Sequence, residues 1–200
     1  IVSDLRYSLY VIFHPFDGFW DLKYEKRGNI LSATIIMIGL TFTYLFMRIN
    51  TGFLFNFKDI SQINIYFEMI TIWIPFLLWC ITNWALTSLM EGKGNIRDIY
   101  IYSAFAMLPI IFINIPATVI SNYLVMNEGG FYSFMITLGP FWSMFLLFSG
   151  TVVTHGYRLS KTILTLILII IGMGTVLLIS LLFFMVMDQM FGFISDIYIE

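Results

Sequence analysis

The chain has 200 residues, of which 60% are hydrophobic and only 11% charged, with a mean hydropathy of +0.90 and a formal charge of −2. A soluble domain is roughly half apolar and about a quarter charged, and one of this size buries only about 70% of the surface its unfolded chain exposes, so the bilayer must be the solvent. The near-neutral charge implies no nucleic-acid-binding surface, and the single cysteine, Cys80, excludes an internal disulfide or a cysteine-built zinc site.

Residues 1–29 carry too many structural signals to be a tail. His14-Pro15 breaks a first short helix bearing Leu5, Leu9, Ile12 and Phe13, and Pro15 suits the first position of a second. In that second helix Phe16, Trp20 and Tyr24 recur every four residues, and Asp17, Asp21 and Glu25 form an adjoining stripe. An aromatic stripe flanked by charges suits a helix lying among lipid headgroups. The three carboxylates are repelled by an anionic leaflet, so the same stripe also suits a basic partner. The expectation is an amphipathic interfacial segment at the cytoplasmic surface; its charged and aromatic residues are not those of a cleavable signal peptide.

Five stretches free of Asp, Glu, Lys and Arg follow: Gly28–Met47, Met69–Met90, Ile99–Asn127, Gly129–Tyr157 and Thr162–Met187. Each has the roughly 20 residues that crossing ~30 Å of hydrocarbon requires. Met126-Asn127-Glu128-Gly129-Gly130 is a turn signal that separates the third from the fourth. The expected fold is therefore all-α and integral to the membrane. A five-transmembrane-helix bundle occupies residues 30–190, with spans near 31–48, 66–90, 99–125, 131–154 and 162–187 and a tail at 191–200. Pro75, Pro109, Pro116 and Pro140 fall inside spans and predict kinks.

Basic residues set the orientation. Arg6, Lys23, Lys26, Arg27, Lys93, Arg97, Arg158 and Lys161 fall on the N-terminal side of the membrane, against Arg48 and Lys58 on the other. The N-terminus is expected in the cytoplasm and the C-terminus outside.

The spans hold almost no ionisable chemistry. Asn83, Asn114, Thr137 and Ser143 are the interior polar groups, suited to interhelical hydrogen bonds. With the kinked helices they also leave open a small-solute pathway or a lipid-handling groove. His14 and His155 lack a neighbouring carboxylate cluster and make a poor metal site. Catalytic signatures such as His-Glu-x-x-His and Gly-x-Ser-x-Gly are absent from the sequence. No catalytic residue, cofactor or metal is expected, and the chain reads as a non-enzyme.

Three blocks resemble the recurrent motifs of bacterial Yip1-domain membrane proteins. They are Tyr10-Val11-Ile12-Phe13-His14-Pro15-Phe16-Asp17-Gly18-Phe19-Trp20-Asp21-Leu22-Lys23, then Met90-Glu91-Gly92-Lys93-Gly94-Asn95-Ile96-Arg97-Asp98-Ile99-Tyr100, then His155-Gly156-Tyr157-Arg158-Leu159-Ser160-Lys161-Thr162. The resemblance implies five helices with a cytoplasmic N-terminus. It also implies an integral-membrane adaptor, since eukaryotic relatives bind Rab-type GTPases in vesicle traffic. Bacterial members often occur beside carbohydrate import systems, which implies an accessory role to an ABC-type importer in the bacterial cytoplasmic membrane.

These readings converge on a polytopic scaffold or accessory protein. Its partners would be the bilayer, another membrane protein and a second copy of the chain. The residues expected to meet the partner protein are Phe16, Asp17, Trp20, Asp21, Lys93, Arg97, His155 and Arg158.

Overall fold

The computed structural model describes residues 2–56 and 64–199; Lys58, counted above among the basic residues, lies outside them. The described residues form α1 (Val2–Phe13), α2 (Pro15–Tyr24), α3 (Ile30–Asn50), α4 (Ile65–Leu89), α5 (Ile96–Ala106), α6 (Leu108–Ser121), α7 (Gly129–His155) and α8 (Leu159–Ile199). A single 3₁₀ turn, Met126–Glu128, joins α6 to α7. Five segments are long and apolar enough to cross a membrane: α3, α4, α5 with α6, α7 with its leading turn, and α8.

Asparagines start three of these segments. The Asn29 side chain accepts from the Leu31 N–H at 3.4 Å, and that of Asn64 from Tyr66 and Phe67 at 3.0 and 3.3 Å. At Asn95 the main-chain N–H is taken by the Asp98 carboxylate at 3.2 Å. Each contact satisfies a donor that the first helical turn leaves without a partner. The third span breaks at Met107, between α5 and α6, where Pro109 brings no N–H and the chain makes short-range bonds instead. Pro75, Pro116 and Pro140 remain inside α4, α6 and α7.

α5 is the axis of the bundle. Ile101 to Ala106 are all buried, and the small residues Ser103, Ala104 and Ala106 let its neighbours α3, α4 and α7 approach closely. α6 and α7 form an antiparallel pair, with α3 against α6. α8 packs on α4 and α7 through Thr162, Thr165 and Ile169, whereas its apolar side chains from Val176 to Phe193 are largely exposed.

The N-terminal helices are built into this bundle. α1 and α2 form a helical hairpin, and α2 lies along α7 and against α5. At one end of that contact Lys23 reaches the Thr154 carbonyl; at the other the Trp142 indole donates to the Ile12 carbonyl at 3.2 Å. Thr154 and Trp142 are roughly 18 Å apart along α7 at about 1.5 Å per residue. The hairpin thus lies along a substantial length of α7. Gly18 makes the hairpin tight, because a Cβ there would stand 2.9 Å from the Val11 Cα.

Candidate functional site

The three recurrent blocks of the sequence meet at one end of the bundle. From the first block the Lys23 ammonium donates to the main-chain carbonyl of Thr154 and, at 3.4 Å, to that of Lys93. The Thr154 carbonyl belongs to the last turn of α7, which has no helical donor left, so a cation there satisfies both the hydrogen bond and the helix dipole. From the third block, Lys161 and the Tyr157 hydroxyl donate to the Met90 carbonyl at the end of α4, at 2.7 and 3.1 Å. The ends of two spans are therefore closed by cations from other parts of the chain.

The turn Gly92-Lys93-Gly94 lies over His155. A Cβ on Gly92 would fall 2.6 Å from the His155 Nδ1 and 2.7 Å from the Tyr157 hydroxyl, and one on Gly94 would fall 2.8 Å from the His155 Cε1. Only glycine allows this approach. Ahead of the turn, Glu91 holds φ at 59° where a helix end usually places glycine, and the Gly92 N–H closes the helix on the Thr87 carbonyl at 2.8 Å. After α7, Gly156 takes the left-handed conformation with φ at 68°.

Burial pushes the Lys23 ammonium below its usual range, with Asp98 pulling it back up and Lys93 adding to the decrease. The Tyr157 phenol is raised by burial and by the nearby Glu91 carboxylate. Tyr7, which donates to the Asp21 carboxylate at 2.7 Å, is raised by its burial and by that bond.

The eight residues expected to meet a partner divide by their surroundings. Phe16, Asp17 and Trp20 are exposed on the outer side of α2, with Phe16 44% and Trp20 50% accessible, while Gly18, Phe19 and Leu22 face the bundle. Lys93, Arg97 and Arg158 are also exposed. Asp21 is engaged within the chain, by Tyr7 and by Arg27 at 4.0 Å. His155 is only 1% accessible and stacks on Tyr157, with both ring nitrogens buried and without a hydrogen-bond partner. A partner could not touch its ring without moving the glycine turn, so His155 supports this face from beneath.

The interior polar groups serve separate contacts. Asn83 donates to the Tyr102 hydroxyl at 2.6 Å, and that hydroxyl shares a bond with Thr151 at 3.1 Å. Asn114 and Ser143 are buried, each with an oxygen that has no partner, whereas Thr137 is exposed and bonds back to the Ser133 carbonyl. Among the described residues no three His, Cys, Asp or Glu side chains gather to hold a metal ion.

A model of the Yip1 domain matches residues 9–192, from the second half of α1 into the last part of α8. The chain belongs to the Yip1-domain family. The match takes in the hairpin as well as the five spans, so the Yip1 domain here includes the contact of α2 with α7. The family is generally one of non-enzymatic membrane proteins. No curated protein and no solved structure matches the chain.

Within this Yip1 domain the residues that sequence reasoning missed are Lys23, Tyr102 and the Gly92–Gly94 pair as a cover for His155. The glycines and the basic residues stood in the recurrent blocks, and that repetition was the available signal. The Asn83–Tyr102 bond had none, since a tyrosine within an apolar run does not show which group its hydroxyl meets.

Proposed function

We propose that this Yip1-domain protein is a non-enzymatic membrane scaffold or accessory protein that docks another membrane protein on its cytoplasmic face. The observation that carries the reading is the two-sidedness of α2. One side is held to α7 by Lys23 and packed through Phe19 and Leu22, and the other presents Phe16, Asp17 and Trp20. A carboxylate between two aromatic rings suits a protein surface better than lipid tails, because a bare acidic group in hydrocarbon costs several kcal/mol unless it is paired. Exposed Lys93, Arg97 and Arg158 add basic charge at the Lys23 end of α2, about 9 Å along the helix from Asp17. The excess of basic residues there supports a cytoplasmic placement. An ABC-type importer is the partner that the occurrence of bacterial relatives beside import systems favours.

A photo-crosslinking amino acid placed at Phe16 or Trp20 tests the reading, with Leu181 on the outer part of α8 as control. The reading expects a discrete protein adduct from α2 and lipid adducts from α8. Lipid adducts alone from all three positions would reject it.

A further inference from the structure

The end of the bundle away from Lys23 holds a partly open cavity of about 760 Å³, formed chiefly by α3 and α4 with the break between α5 and α6. That volume falls in the range of ~300–1,000 Å³ typical of sites for small molecules. Its deeper wall is apolar, including Leu40, Phe76, Trp79, Ile110 and Leu147. Its other end carries the Arg48–Glu68 ion pair, with Nε and Oε1 2.9 Å apart and about a quarter of each side chain accessible. Pro75 has no N–H to offer the Thr71 carbonyl, and both residues line the cavity.

The placement of these groups matches an amphiphile. Arg48 is in the last turn of α3 and Glu68 in the first turn of α4, so the ion pair marks the ends of two spans, where headgroups reside. Leu40 and Met37 lie roughly 12–16 Å deeper along α3 at about 1.5 Å per residue. Such apolar walls hold water poorly, whereas a lipid tail is as apolar as leucine. The two charges are of opposite sign and side by side. A guanidinium offers paired donors to a phosphate, and a carboxylate accepts from an ammonium.

We infer that this cavity binds one glycerophospholipid with a zwitterionic headgroup. One of its two acyl chains would lie along Leu40, Phe76 and Trp79 with the other in the surrounding bilayer, and its phosphate and ammonium would meet Arg48 and Glu68. The inference is independent of the docking surface, which lies at the other end of the bundle.

The test uses the full chain in bilayer discs, photolabelled with phosphatidylethanolamine or phosphatidylglycerol carrying a diazirine in the acyl chain. Labelled peptides are then mapped. The inference expects phosphatidylethanolamine to label the cavity walls on α3 and α4 several-fold above the exposed surface of α8. Leu40→Trp, which fills the cavity, should abolish that excess, while Ile38→Trp on the exposed side of α3 should leave it intact. Met173→Trp serves as a second filling variant should Leu40→Trp not fold. Glu68→Gln should lower the preference for phosphatidylethanolamine by about tenfold, the ratio expected from losing one charge-assisted hydrogen bond. Labelling spread evenly over all exposed helices, or cavity labelling indifferent to the filling variants, would overturn the inference. So would equal labelling by the two lipids in the unsubstituted chain.

Discussion

Lys23 and Thr154 stand 131 positions apart in the chain, and the ammonium of one donates a hydrogen bond to the main-chain carbonyl of the other. This bond joins the N-terminal hairpin to the end of α7 and, through the Lys93 carbonyl, to the turn between α4 and α5. The exposed side of α2, with Phe16, Asp17 and Trp20, is held in place by what its opposite side does.

Lys23→Met should therefore loosen the hairpin. Removing the donor from two carbonyls and the cation from a helix end is expected to cost about 1–3 kcal/mol. Limited proteolysis near His14, together with thermal unfolding, measures it. A pH dependence accompanies the loss. Because burial lowers the folded-state value of Lys23 below its ordinary 10.5, the unfolded chain holds more protons in that interval. The contribution of Lys23 to stability thus rises with pH up to the ordinary value. Lys23→Met should lack that rise, and an unchanged pH profile would show that the burial is not felt.

The glycine turn gives a contrast between two alanine substitutions. Gly92→Ala places a Cβ within 3 Å of the His155 ring, the Tyr157 hydroxyl and the Thr87 carbonyl, and should destabilise by about 1–3 kcal/mol. Gly130→Ala, with nothing within 4 Å and a place in the first turn of α7, should be neutral or slightly stabilising. Unfolding of the two purified variants in one detergent decides. Equal stability would mean that the turn does not pack on His155.

Tyr102→Phe removes one hydroxyl and leaves the Asn83 amide and Thr151 without their shared partner. Tyr102 is 2% accessible, so a cost of about 1–3 kcal/mol is expected from the buried amide alone. The double variant with Asn83→Leu should recover part of it, because two apolar groups leave nothing unpaired. A cycle of the two substitutions that showed no coupling would argue against the bond.

The five spans and the turn at Met126–Gly130 were legible because hydrocarbon demands long apolar runs; proline alone did not locate the break near Pro109, since Pro75, Pro116 and Pro140 stay inside their helices. The side on which α2 packs was not legible either. In water an aromatic stripe such as Phe16, Trp20 and Tyr24 would be the buried side, but in a bilayer the surroundings are as apolar as a core, and periodicity no longer tells inside from outside. Gly18 carried the missing information, since a small residue marks where helices approach closely, and Val11 is what it meets. The cavity beside Arg48 and Glu68 was likewise hidden. Each wall residue is ordinary in sequence, and only the folded arrangement of α3, α4 and the break between α5 and α6 brings them together.

A partner protein on the outer side of α2 is the proposal on which the scaffold reading depends. The most direct measurement is recovery of co-purifying membrane proteins from native polymer discs, comparing the unsubstituted chain with Trp20→Ala and Asp17→Lys. Both residues are exposed, so each change should shift stability by no more than about 0.5 kcal/mol. One stoichiometric membrane-protein partner is expected, lost from both variants while they unfold at the temperature of the unsubstituted chain. Equal recovery of that partner by the stably folded variants, or a chain that purifies alone, would contradict the proposal.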